Sequence, residues 1–195
     1  MRYLVISDIH GGAVELEKAL GFFEKLHCNF IISLGDLLNH GPRNAVPHSY
    51  DPMKVGELLN KFKDKIIAVR GNCDSEVDSM VCTFPLNSPY GYLNFEGSDG
   101  VKHKIMLTHG HLYKIETSEQ IEKLGLIKGD IVLSGHTHVS GIFKKDSGVI
   151  NINPGSTTIP KGESKAGFAV ITENSIELYT LTLTTTLVTA IFCPL

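Results

Sequence analysis

Paired cysteines, a basic patch, a long apolar segment and low-complexity sequence are all missing from this chain, and each absence narrows the field. The four cysteines, Cys28, Cys73, Cys82 and Cys193, form no CxxC pair and no compact spacing, which excludes a disulfide scaffold and fits reduced thiols in a cytoplasmic protein. Lys and Arg number 18 against 21 Asp and Glu, and they are scattered, so the footprint of a sequence-independent nucleic-acid binder is lacking. The apolar run ahead of Asp8 is too short for a signal-peptide core. The longest uncharged stretch, Leu178 to Leu195, is rich in Thr and carries Pro194, which reads as strand rather than membrane helix. No internal repeat or interdomain linker interrupts the chain. With 195 residues and an apolar fraction of 42%, one folded domain over residues 1–195 is expected.

What the chain does have is a series of short β-branched and aliphatic runs: Tyr3 to Ile6, Phe30 to Leu34, Ile66 to Val69, Ile105 to Leu107 and Ile131 to Leu133. Between the first two, Leu16, Ala19, Leu20, Phe23 and Leu26 recur at helical spacing, so Val14 to Leu26 is predicted as an amphipathic helix. Asp51-Pro52 supplies a capping residue followed by proline at the first helical position, opening a second helix with Val55, Leu58, Leu59 and Phe62 inward. A third, shorter helix is predicted from Thr117 or Ser118 to before Gly125, with Gln120 completing a capping box.

The second half reads differently. Tyr92 to Phe95 and Lys104 to Leu107 flank a turn at 97–100, Gly141 to Phe143 and Val149 to Ile152 flank 145–148, and Gly167 to Ile171 and Ile176 to Thr182 flank Glu173-Asn174. Strand–helix units followed by hairpins predict an α/β fold, a layered sandwich of two mixed sheets flanked by helices.

Five polar clusters follow apolar runs: Asp8-Ile9-His10, Gly35-Asp36, Gly71-Asn72-Cys73-Asp74, His109-Gly110-His111 and Gly135-His136-Thr137-His138. In α/β sheets ligands collect beyond the carboxyl ends of strands, so clusters distant in sequence converge there. Carboxylate, imidazole and amide oxygen form a hard to borderline donor set suited to Mn, Zn, Fe or Co, and their number implies two ions. Gly35, Gly71, Gly110 and Gly135 fit a backbone that must turn tightly beside such a site.

DIH, GD, GNCD, HGH and GHTH, in this order, resemble the calcineurin-like metallophosphoesterase signature over nearly the whole chain. GDLLNHGPRN, RGNCDSEVD, THGHL and NPGS are similar to a branch of small bacterial phosphodiesterases and their archaeal relatives. The resemblance implies one metal held by Asp8, His10, Asp36 and His138 and a second held by Asp36, Asn72, His109 and His136, with Asp36 bridging. It implies two divalent ions, Mn²⁺ first and Zn²⁺, Fe²⁺, Co²⁺ or Ni²⁺ as substitutes, about 3.5–4 Å apart with a bridging hydroxide as nucleophile. Two such ions, two carboxylates and one hydroxide leave a net charge of about +1, attractive to a phosphodiester monoanion.

Cys73 departs from the family pattern, which places a histidine there near the leaving group. Cys73 itself, Asp74 and His111 are the candidate catalytic residues in its stead, and without a strong acid, turnover should depend on leaving-group pKa. Arg43 and Asn39 are candidate substrate-binding residues, with Asn39 and His40 also placed to orient the metal ligands. His27, His48 and His103 read as surface or helix-end residues. The implied activity is metal-dependent hydrolysis of a small-molecule or nucleotide-like phosphodiester, without membrane or strong nucleic-acid partners. A phosphomonoesterase, or a non-catalytic interaction scaffold like the retromer subunit of similar fold, are the competing functions. Tyr90 to Phe95 and the C-terminal tail are candidate homo-oligomer contacts.

Overall fold

The computed structural model describes residues 1–96, 100–183 and 185–190. The chain opens with β1 (Tyr3–Ile6), α1 (Ala13–Lys25), β2 (Phe30–Ser33), α2 (Pro52–Asn60) and β3 (Ile66–Ala68). Then follow β4 (Tyr90–Glu96), β5 (Lys102–Thr108), α3 (Ser118–Lys123), β6 (Ile131–Leu133), β7 (Gly141–Lys144), β8 (Ile150–Asn153), β9 (Gly167–Ile171), β10 (Ser175–Thr180) and β11 (Thr185–Ala190).

They assemble into a six-stranded sheet, order β11-β10-β9-β1-β2-β3, and a five-stranded sheet, order β4-β5-β6-β8-β7. The first sheet has a parallel β1-β2-β3 half, and the second a parallel β5-β6-β8 centre with antiparallel strands at both edges. The predicted sandwich of two mixed sheets is therefore present.

Strand periodicity of two explains the layering. Val5, Ile32, Ile105, Leu107, Ile131 and Leu133 fill the space between the sheets. Their neighbours Leu4, Ile6 and Ile31 point the other way, onto Leu16, Ala19, Leu20 and Phe23 of α1 and Val55, Leu58 and Leu59 of α2. Met106 and Val132 likewise turn outward, onto Ile121 of α3. Each central strand is thus buried on both faces, which accounts for its unbroken apolar sequence.

Two helix starts match their sequence signals. Asp51 accepts a hydrogen bond from the Lys54 amide with Pro52 behind it, and Thr117 and Gln120 form a reciprocal capping box. The 3₁₀ turn Glu76–Met80, capped by Ser75 and Asp78, has no counterpart in the sequence pattern, because it is too short for periodicity to register. The tail is two strands rather than one: β10 ends at Thr180 and β11 returns beside it. Residues 97–99 of the expected first hairpin turn, and Cys193, lie outside the described residues. Among the described residues, no helix is long and apolar enough to cross a membrane.

Candidate metal centre

β1, β2, β3, β5, β6 and β8 run in the same sense within their sheets, and the polar clusters follow their C-terminal ends. Asp8 follows β1, Asp36 follows β2, Asn72 follows β3, His109 follows β5, and His136 and His138 follow β6. Backbone bonds tie these loops together: the Asp8 amide donates to the Gly35 carbonyl (3.1 Å), the His10 amide to the Asp36 carbonyl (2.9 Å) and the Gly135 amide to the His109 carbonyl (3.1 Å).

Three imidazoles are oriented in the same way. Nδ1 of His10, His109 and His138 lies 2.8 Å from the carbonyl oxygen of Asn39, Leu34 and Ile159 respectively. A carbonyl can only accept, so each Nδ1 carries the proton and, in the neutral ring, Nε2 presents its lone pair inward. There the Nε2 atoms of His10 and His138 face each other at 3.2 Å. Two lone pairs at that distance repel unless a cation lies against them.

The carboxylates complete the arrangement. Asp36 Oδ2 lies 3.6 Å from His10 Nε2 and 3.3 Å from His109 Nε2, so it stands between the two groups of imidazoles. Asp8 Oδ1 lies 3.3 Å from His138 Nε2 and 3.7 Å from His10 Nε2. The other oxygen of each is taken: Asp8 Oδ2 accepts from Ser7 Oγ and the His136 amide, and Asp36 Oδ1 from the Cys73 amide. Asp8 Oδ1 is buried and has no hydrogen-bond partner among the described residues. A buried, unpartnered carboxylate oxygen aimed at convergent imidazole lone pairs fits divalent cations. The Asp8–His10–His138 and Asp8–Asp36–His109 groupings each bring their ligand atoms within 4.8 Å of one another. Asn72 Oδ1 lies 3.2 Å from His109 Nε2, and the His136 ring centroid 5.1 Å from that of His109.

The backbone is strained where the ligands sit. Asp8 (φ 52°), His10 (48°), Asp36 (56°), His136 (68°) and His138 (61°) all adopt the left-handed conformation that ordinary residues avoid. Among the described residues only His27 and Leu183 join them outside glycine. Gly71 and Gly135 are required by close approach: a Cβ on Gly71 would meet Asp36 Oδ1 at 2.1 Å, and one on Gly135 would meet Ser7 Oγ at 2.0 Å.

Electrostatics follow from the packing. Burial opposes the charged form of Asp8, but His10, His138 and His109 override it and hold its carboxyl far below the usual range. Burial likewise opposes charge on His109, yet its contact with Asp36 and the charge of Asp8 raise it to about 9. His136 and His111 move down, through burial and then the neighbouring His109. The Cys73 thiol is pushed up to about 12 by burial and by Asp36, so it is a protonated thiol rather than a nucleophile.

The remaining candidates are placed unequally. Asp74 lies beside a second cavity, but its carboxylate is engaged: it accepts the amides of Asp36 (2.8 Å), Leu37 (2.8 Å) and Gly71 (2.7 Å), clamping the loops that carry Asp36 and Asn72. Asn39 anchors His10 through its carbonyl and lines the adjacent cavity, whereas the His40 ring packs on Tyr50 rather than on a metal ligand. His103 is buried in β5 beside Asp130 rather than exposed, because it alternates in step with the inward-facing Ile105 and Leu107 of that strand.

A cavity of about 350 Å³ opens over the centre, lined by Asp36, Asn72, Cys73, His136 and His138 together with Arg43 and Lys161. Lys161 gives no signal in the sequence, because it lies far along the chain in a loop with no metal-binding pattern. The NPGS motif acquires a role only in the fold: Ser156 Oγ donates to the Asp8 carbonyl (2.6 Å) and Asn153 Nδ2 to the Gly135 carbonyl (2.9 Å), holding two ligand loops in place.

Residues 1–175 match the calcineurin-like phosphoesterase superfamily domain. The chain is 38% identical over 181 residues to "Phosphodiesterase YfcE" of Escherichia coli K12, covering 93% of this chain and 92% of that one. A structure described as YfcE, a phosphoesterase from E. coli, superposes with a TM-score of 0.87 at 36% identity, covering 98% of this chain and all of that one. A Chaetomium thermophilum Vps29 structure, at 17% identity and a TM-score of 0.57 over 97% of this chain and 95% of the other, shares the fold alone. With that match along most of its length, the chain belongs to the calcineurin-like phosphoesterase superfamily.

Proposed function

We propose that the protein is a metal-dependent phosphodiesterase that hydrolyses a small-molecule or nucleotide-like phosphodiester. The observation that carries this reading is the convergence of three carbonyl-anchored imidazoles on two buried carboxylate oxygens. The 38% identity to a named phosphodiesterase supports diester rather than monoester specificity. Asp8, His10, Asp36 and His138 would hold one divalent ion and Asp36, Asn72, His109 and His136 the other, with Mn²⁺ the first choice. When bound, the pair would supply Lewis acidity and a hydroxide nucleophile for phosphorus.

The chain's own groups do the rest. Asn72 adds a ligand without negative charge, which keeps the centre attractive to the diester anion. Arg43 and Lys161 line the same cavity, where cationic donors favour charge developing on a departing alkoxide. Cys73 contributes a neutral thiol in the wall of that cavity, whereas His111, beside His109, lies outside it. The described cysteines Cys28, Cys73 and Cys82 are free, which supports a reducing compartment such as the cytoplasm.

The test is hydrolysis of bis(4-nitrophenyl) phosphate and of 4-nitrophenyl phosphate by chelated protein with Mn²⁺ restored, alongside Asp36→Asn and His138→Ala. Manganese-dependent diester turnover lost in both variants is expected. Faster monoester turnover would mean a phosphomonoesterase, and inertness to both esters a non-catalytic scaffold.

A further inference from the structure

A second cavity, of about 400 Å³, adjoins the first across Asn72. Arg70, Asn87, Pro89, His111 and Leu112 line it, so it shares the Asn72 loop with the first cavity but neither Arg43 nor Lys161. A phosphate seated by Asn72 therefore has room on both sides. Two flanking cavities suit a diester, and their linings differ enough to sort its two arms.

The first cavity carries two cations, Arg43 and Lys161, against the single Arg70 of the second, whose Nε is already engaged, so the departing alkoxide belongs in the first and the retained arm in the second. The second is built for a ring. Arg70 Nε donates to the Asp74 carbonyl (3.1 Å), which fixes the half-buried guanidinium and spares its four Nη hydrogens. Planar guanidinium and imidazole groups stack on rings. His111 lacks the carbonyl anchor that locks His10, His109 and His138, and its Nδ1 has no hydrogen-bond partner among the described residues. Leu112 is 57% exposed at the mouth, an apolar side chain left uncovered, and Pro89 adds a rigid apolar surface. Asn87, exposed on the same wall, offers an amide donor and acceptor for the edge of a heterocycle.

Resting on the phosphodiesterase reading above, we propose that this second cavity is a subsite for the retained ester arm, selecting one that bears a planar ring, aryl or nucleobase. The chemistry at phosphorus is the hydrolysis already described: water adds, the P–O bond to the first-cavity arm breaks, and the ring-bearing arm stays on the phosphomonoester product.

Three esters with the same 4-nitrophenolate leaving group test this: methyl 4-nitrophenyl, phenyl 4-nitrophenyl and thymidine 5′-(4-nitrophenyl) phosphate, each with the Mn²⁺-loaded protein and its Leu112→Ala and Asn87→Ala variants. Intrinsic reactivity differences are common to all three proteins, so the change in the kcat/KM ratio of ring-bearing to methyl ester reports the cavity. Leu112→Ala is expected to lower that ratio about tenfold for both rings. Asn87→Ala should lower it for thymidine alone if the natural arm is a nucleobase, and for neither ring if it is aryl. Turnover with ratios unchanged by Leu112→Ala would overturn the subsite alone. No turnover of any ester would overturn the phosphodiesterase reading and the subsite with it.

Discussion

Replacing His136 by glycine is expected to leave the chelated protein more stable than replacing it by alanine. His136 is half-buried and sits at φ 68°, and its amide bond to Asp8 Oδ2 survives both changes. Both variants lose the ring equally, so the comparison isolates the Cβ. A Cβ in the left-handed region costs about 1–2 kcal/mol, against which glycine loses roughly 0.5–1 kcal/mol of extra chain entropy. The difference, about 1 kcal/mol in favour of glycine, corresponds to roughly 2–4 °C in Tm for a chain of this size. Thermal unfolding in chelator, followed by far-UV circular dichroism, reads it directly. Lys18, exposed within α1, is the control: there alanine should beat glycine by about 1 kcal/mol, the opposite sign. Equal or higher stability of His136→Ala would refute the argument that the ligand loops hold strain in exchange for geometry.

Two further outcomes follow from the site's electrostatics and its clamp. His109, raised to about 9 against about 6.5 in an unfolded chain, stabilises the chelated fold fully below pH 6.5 and loses that contribution as pH climbs through 9. The chelated protein's Tm should fall across that window. Mn²⁺ binding should tighten there and release protons, since the ion needs the neutral ring; calorimetric titration in buffers of different ionisation enthalpy would detect the reverse. Asp74→Ala leaves the amides of Asp36, Leu37 and Gly71 without their acceptor, which should cost about 3 kcal/mol in urea unfolding and weaken Mn²⁺ binding. A wild-type midpoint would mean those amides find other partners.

Much of this protein is legible in its amino-acid sequence. Period-two and period-3.6 patterns carry the elements because burial is a local consequence of which face a residue occupies, so Leu4 and Val5 part company in sequence as they do in space. The candidate metal ligands stand out because carboxylates and imidazoles gather where strands end, a rule of sheet topology. Tertiary structure alone decided what those residues touch. The carbonyls of Asn39, Leu34 and Ile159 fix three tautomers from positions that carry no side-chain signal. Asp74, indistinguishable in sequence from a catalytic acid, is spent on three amides. Lys161 and Asn87 reach the cavities from loops far away along the chain. Local pattern determines which residues are buried and which are available for chemistry. Hydrogen-bond partners and cavity walls come from contacts between segments distant in sequence, and those exist only once the chain has closed on itself.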